Sequence, residues 1–114
     1  MRDPRKYLFD IADSCQFLIE FTSNRKLDDY KKSRAFRSAV ERELQIIGEA
    51  MAQLDRVSPQ TSEKISEYRN IIAFRNIIVH GYDKLNPETV WDIIVEKIEP
   101  LLKQTNTAMQ EIGE

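Results

Sequence analysis

The chain has 114 residues, of which 41% are hydrophobic and 32% are charged. This length and composition are typical of one globular domain with a single core, so we expect one helical domain over residues 1–114. The formal net charge of −2 argues against bulk electrostatic binding to nucleic acid, although a local basic groove remains compatible with it.

The residues that interrupt or crosslink a chain are scarce here. Three glycines and four prolines favour long helices over many short strands joined by turns. The single cysteine, Cys15, excludes an intrachain disulfide, and no cysteine–histidine cluster suits a metal, so we expect no metal or cofactor. No apolar run approaches the roughly 20 residues of a membrane span. We therefore expect a protein of the reducing cytoplasm.

The first two predicted helices follow from capping residues and apolar spacing. Asp3 and Pro4 form a helix start, and apolar residues at intervals of three and four predict a helix over about 4–22. A polar, turn-like stretch follows at 23–29, and a second helix is predicted over about 30–55. Its apolar stripe is Phe36, Val40, Leu44, Ile47, Met51 and Leu54.

The second predicted helix contains an interior glycine, Gly48, which costs about 1 kcal/mol in helix propensity relative to alanine. A glycine at such a position commonly lets another backbone come close. We expect that close approach either within the fold or across a dimer.

The third predicted helix begins near 61–63, after a break at Pro59, and ends at His80 with Gly81 as its C-terminal stop. Residues 68–82 read YRNIIAFRNIIVHGY, and most of this stretch is a part of the helix that is apolar on nearly every side. A helix of that kind belongs in the middle of a domain.

A fourth predicted helix starts with Asn86 as N-cap and Pro87 as its first residue. Pro100 should kink or split this helix, leaving a final segment to about residue 112. No strand pattern or internal repeat is present. The sequence therefore predicts an all-α fold, an antiparallel bundle of four or five helices.

The third predicted helix also carries three polar residues that could perform chemistry. At about 100° per residue, Arg75 and Tyr82 point the same way, whereas Arg75 and His80 lie about 140° apart with Asn76 between them in angle. The arginine side chain is long, so the guanidinium of Arg75 and the imidazole of His80 could contact one anionic group from two sides. His80 could then transfer a proton and Arg75 could stabilise charge on a phosphate, without metal.

A structural alternative explains the same residues without catalysis. Arg75, Asn76 and His80 could form a polar cluster that caps a core helix, paired with Glu43 or Glu49 of the second helix.

Two stretches resemble a known family. Residues 75–82, RNIIVHGY, match the Arg-Asn-x3-His-x-Tyr motif of HEPN-domain proteins of the HepT-like toxin group, found in bacterial and archaeal toxin–antitoxin pairs. Residues 39–50, AVERELQIIGEA, match the second-helix signature of that group. Family members often place Pro-Trp seven or eight residues before the arginine, where this chain has Glu67 and Tyr68.

The resemblance implies a homodimer in which two copies of the motif line one cleft. It implies a metal-independent endoribonuclease with Arg75 and His80 as catalytic residues and Asn76 in support. It also implies a partner, a minimal nucleotidyltransferase of the MNT type, that silences the toxin by adding AMP to Tyr82.

Two alternatives to a ribonuclease toxin remain open. One is a non-catalytic HEPN module that binds its nucleotidyltransferase partner or a nucleotide. The other is a purely structural helical dimer in which Gly48 and its small neighbours form the interface.

Overall fold

The computed structural model describes residues 3–81 and 85–113, and within these ranges the chain forms helices and no strand. The helices in chain order are α1 (Pro4–Phe21), α2 (Leu27–Lys32), α3 (Arg34–Val57), α4 (Pro59–Ser62), α5 (Tyr68–His80), α6 (Pro87–Glu96) and α7 (Ile98–Gly113). The predicted all-α class is confirmed, with five longer helices and two short ones. No helix in the described ranges is long and apolar enough to cross a membrane.

The core lies where α1 packs against α3 and α7. The whole predicted stripe of α3 is buried there, which confirms the periodicity argument. Helix α1 contributes Tyr7, Leu8, Ile11, Cys15 and Leu18 to the same core. Burial raises the pKa of the Cys15 thiol to about 12, so this cysteine is a packing residue and not a nucleophile.

The predicted N-caps of α1 and α6 are present. Asp3 Oδ1 accepts a hydrogen bond of 2.9 Å from the Arg5 N–H. Asn86 Oδ1 accepts bonds of 2.8 Å and 3.2 Å from the N–H groups of Glu88 and Thr89. Each cap satisfies backbone donors that the first helical turn leaves open.

The boundary predicted between the first and second helices is wrong. Part of the stretch at 23–29 is helical, because α2 begins at Leu27, and the helical run breaks again at Ser33. Ser33 has an extended backbone, and its Oγ accepts a 3.1 Å bond from the Phe36 N–H. Serine favours this capping geometry over helix interior, so α3 starts afresh at Arg34.

The predicted start of the third helix at 61–63 is also wrong. The short helix α4 ends at Ser62, and α5 begins only at Tyr68, after Glu67 adopts a left-handed backbone with φ of 63°. Hydroxyl groups compete with the backbone here: Ser62 Oγ donates to Asp55 Oδ1 at 2.6 Å. The predicted end at His80 is confirmed.

Pro100 splits the last helical stretch, but the break falls three residues earlier, at Lys97. Proline lacks an N–H and its ring clashes with the carbonyl four residues before it, which is that of Glu96. Helix α6 ends at that residue, and Pro100 is accommodated in the first turn of α7.

The expectation that the third predicted helix lies in the middle of the domain is wrong. Helix α5 packs mainly on α3, and Ile78 is its only buried residue. Ile77 and Val79 are 42% and 39% exposed. Within one chain, α5 therefore lies at the periphery of the bundle with apolar surface outward.

Candidate active site

Gly48 of α3 lies directly beneath Arg75 of α5. A Cβ built on Gly48 would overlap the Cβ of Arg75 and would lie 2.7 Å from its Cγ and 3.3 Å from the carbonyl oxygen of Ile71. Any side chain at position 48 would therefore push α5 away from α3. Of the two expectations for this glycine, the structure shows the close approach within the fold.

The side chain of Arg75 borders a groove of about 400 Å³ on the outer surface of α3. We call it the Arg75 groove. Residues of α3 at successive turns of one face line it, together with Arg75 of α5 and two residues from the start of α1. Its lining residues are Tyr7, Asp10, Ile46, Glu49, Ala50, Ala52, Gln53, Arg56 and Arg75.

The guanidinium of Arg75 has no partner in the part of the chain that the structure describes. Its Nε is buried without a hydrogen bond, and no ion pair involves its terminal nitrogens. The alternative in which Glu43 or Glu49 pairs with Arg75 is therefore not seen, and Glu49 Oε1 instead accepts a 3.1 Å bond from Gln45. A buried donor without a partner costs about 1–3 kcal/mol, and native structures contain few of them.

Asn76 and His80 differ from Arg75 in their surroundings. Both are exposed, and His80 stands in the last turn of α5. Among the described residues, no hydrogen bond joins either of them to Arg75. Tyr82 lies outside the described residues, so its shared direction with Arg75 remains a prediction. One chain thus presents Arg75 in a groove and His80 on an open surface.

Apart from Arg75 and Glu49, the sequence argument did not single out the polar residues of the Arg75 groove. Gln53 and Arg56 follow Glu49 at intervals of four and three along α3, so helical spacing could have placed them on one face. Tyr7 and Asp10 join them only because α1 packs on α3, which spacing within one helix does not reveal. Among residues 3–81 and 85–113, no group of three or more acidic, histidine or cysteine side chains is placed to hold a metal ion.

Comparisons with known proteins agree with the two signature stretches. The "Ribonuclease HepT-like" family model matches residues 11–108. A protein from Caldanaerobacter subterraneus subsp. tengcongensis is 32% identical over 97% of this chain and 98% of its own length. Another, from Methanocaldococcus jannaschii, is 27% identical over 97% of this chain and 91% of its own. Both carry the name "Putative RNase".

A protein from Thermococcus cleftensis named "Probable ribonuclease HepT" is 28% identical over 88% of this chain and 90% of its own length. No solved structure matches the chain. The family model covers most of the chain, including both signature stretches and the helices that carry Gly48 and Arg75. The chain belongs to the HepT-like ribonuclease family.

Proposed function

We propose that this protein is an endoribonuclease of the HEPN type that acts as the toxin of a toxin–antitoxin pair. The observation that carries the proposal is Arg75, an arginine fixed by close packing on Gly48 with no partner among the described residues. An arginine held in this way can bind an anion without first breaking an ion pair. The names of its relatives indicate RNA as the source of that anion.

The proposed reaction is an internal transesterification of RNA. The 2′-oxygen attacks the adjacent phosphorus, a 2′,3′-cyclic phosphate forms, and the bond to the 5′-oxygen of the next nucleotide breaks. His80 takes the proton from the 2′-hydroxyl or returns one to the leaving oxygen. Arg75 stabilises the charge that builds on the phosphoryl oxygens, and Asn76 supports it as a hydrogen-bond donor. No step requires a metal.

The active unit is proposed to be a homodimer. Within one chain no hydrogen bond joins the exposed His80 to Arg75, and the apolar side chains of Ile77 and Val79 are partly open to solvent near it. Burial of this surface against a second copy would remove apolar area from water. It would also bring the Arg75 and His80 of two chains into one cleft.

The proposed regulator is a minimal nucleotidyltransferase of the MNT type that attaches AMP to Tyr82. An adenylate on Tyr82, seven residues after Arg75 and two after the end of α5, would put a bulky anion close to the motif that is proposed to bind the RNA phosphate. Intact-mass measurement after co-expression with such a partner should show one added AMP per chain. The added mass should be absent from a Tyr82→Phe variant, and an unmodified Tyr82 in protein that the partner has silenced would contradict this part of the proposal.

The catalytic assignment is tested by Arg75→Ala and His80→Ala. Each change should lower RNA cleavage by a factor of 100 or more, the usual loss on removing a general acid–base or a charge-stabilising group. Circular dichroism and sedimentation should show that both variants remain folded and dimeric. Cleavage that survives both changes would refute the mechanism. A pure wild-type protein that binds the nucleotidyltransferase but cuts no RNA would favour a non-catalytic HEPN module.

A further inference from the structure

The Arg75 groove contains a second arginine, Arg56, that the family motif does not include. Arg56 is exposed, and its only hydrogen bond in the described part of the chain is from Nη1 to the neutral Oε1 of Gln53, at 3.2 Å. No acidic side chain in that part of the chain forms an ion pair with it. Its charge is therefore uncompensated at short range.

The two carboxylates that line the groove already have donors. Asp10 accepts an ion pair of 3.1 Å from Lys6, and Glu49 accepts a 3.1 Å hydrogen bond from the side chain of Gln45. The positively charged donor capacity of the groove that forms no ion pair among the described residues thus belongs to Arg56 and Arg75. A ligand with several anionic oxygens along its length would match it.

The spacing of the two arginines indicates an extended ligand. Arg75 packs over Gly48, and Arg56 lies eight residues further along α3, which is a rise of about 12 Å. One phosphate bound at Arg75 would leave Arg56 free for another phosphate of the same strand. Both arginines line the groove, together with residues of one face of α3 and Tyr7 and Asp10 of α1.

From these observations we infer that the Arg75 groove is a binding track for single-stranded RNA, in which Arg56 holds a phosphate next to the reacting region. This inference rests on the proposed ribonuclease function and adds a substrate-positioning residue to it. Arg56 binds the strand equally in the ground state and the transition state. Loss of Arg56 therefore raises KM and leaves kcat nearly unchanged.

The test compares Arg56→Ala with Arg34→Ala, a change of the same residue type at an exposed position of α3 outside the groove. RNA affinity is measured in a His80→Ala background, where the strand stays intact. We expect Arg56→Ala to weaken binding about fivefold, the effect of about 1 kcal/mol for an exposed ionic contact. The affinity of the Arg56→Ala variant should also depend less steeply on salt. The plot of log K against log salt should be shallower by about 0.7, which corresponds to one lost phosphate contact on a single strand.

Two further readouts separate the outcomes. In the cleaving protein, Arg56→Ala should raise KM with little change in kcat, and Arg56→Lys should restore most of the affinity. Equal RNA affinity and equal salt slopes for the Arg56 and Arg34 variants would overturn the inference, even if wild-type cleavage were intact. A change in dimer or partner affinity alone would also overturn it, because the groove would then hold protein. Absence of cleavage in the wild type would instead contradict the proposed function.

Discussion

Helices α3 and α5 are both rich in apolar residues, yet they use them in opposite ways. Helix α3 buries its whole stripe against α1 and its neighbours, whereas α5 buries Ile78 alone. The difference shows that the fold is built on α1, α3 and α7, and that α5 is attached to it through one face. The residues proposed for catalysis therefore lie on a helix that contributes a single buried residue to the core.

The largest expected effect on stability is in α3. Leu54 is fully buried, so Leu54→Ala should lower the free energy of unfolding by about 2–5 kcal/mol, because it removes apolar contacts and leaves a cavity. Urea denaturation monitored by circular dichroism measures the change. A loss below about 1 kcal/mol would show that α3 is not the centre of the core.

Gly48→Ala tests the contact that joins the two helices. The added methyl group gains up to about 1 kcal/mol in helix propensity, but it overlaps the stem of Arg75, and overpacking of this kind typically costs about 1–3 kcal/mol. We expect lower stability together with a large loss of RNA cleavage, since Arg75 must move. Denaturation and a cleavage assay measure the two effects.

The matched control for this change is Gly113→Ala, at a helical glycine with nothing within 4 Å of the added Cβ. That variant should keep wild-type stability and cleavage. If Gly48→Ala also keeps wild-type stability and cleavage, the position of Arg75 does not depend on the absence of a side chain at position 48.

The smallest expected effect on the stability of a single chain is in the exposed apolar surface of α5. Ile77→Ser should change the unfolding of the isolated chain by only about 0.5 kcal/mol, because Ile77 is already 42% exposed. It should nevertheless shift the proposed dimer toward monomer in sedimentation experiments. Val95→Ser, at a 66% exposed residue of α6, is the control. A dimer that is equally sensitive to both changes would place its interface elsewhere than on α5.

The parts of the fold that local rules govern were predictable from the sequence. Asp3 and Asn86 cap helices as expected, and the stripe of α3 is buried as its period predicts. The break at Ser33 and the start of α5 at Tyr68 were missed, because hydroxyl side chains and a left-handed residue outweighed continuous helix propensity there. These choices depend on hydrogen bonds that apolar spacing does not encode.

The site was predictable only to the level of its motif. The sequence pointed to Arg75 and His80 and flagged Gly48 as a close approach, which the structure places under Arg75. It gave no sign that α5 lies at the periphery, because an apolar helix suits a core and an interface equally well. Helical spacing could have placed Arg56 on one face with Glu49, but the groove that it lines became visible only with α1 and α5 packed on α3.

The covered Nε of Arg75 restricts how that arginine can meet a ligand. Because the stem lies flat on Gly48 and Nε is shielded from solvent, a side-on approach through Nε and one terminal nitrogen is blocked. Only the two terminal nitrogens of the guanidinium, Nη1 and Nη2, remain available to bind a ligand. Two phosphoryl oxygens would then meet the guanidinium head-on in its own plane. A phosphodiester presents its two non-bridging oxygens in that way, so in the proposed ribonuclease the packing beneath Arg75 would set the orientation of a bound strand as well as its affinity.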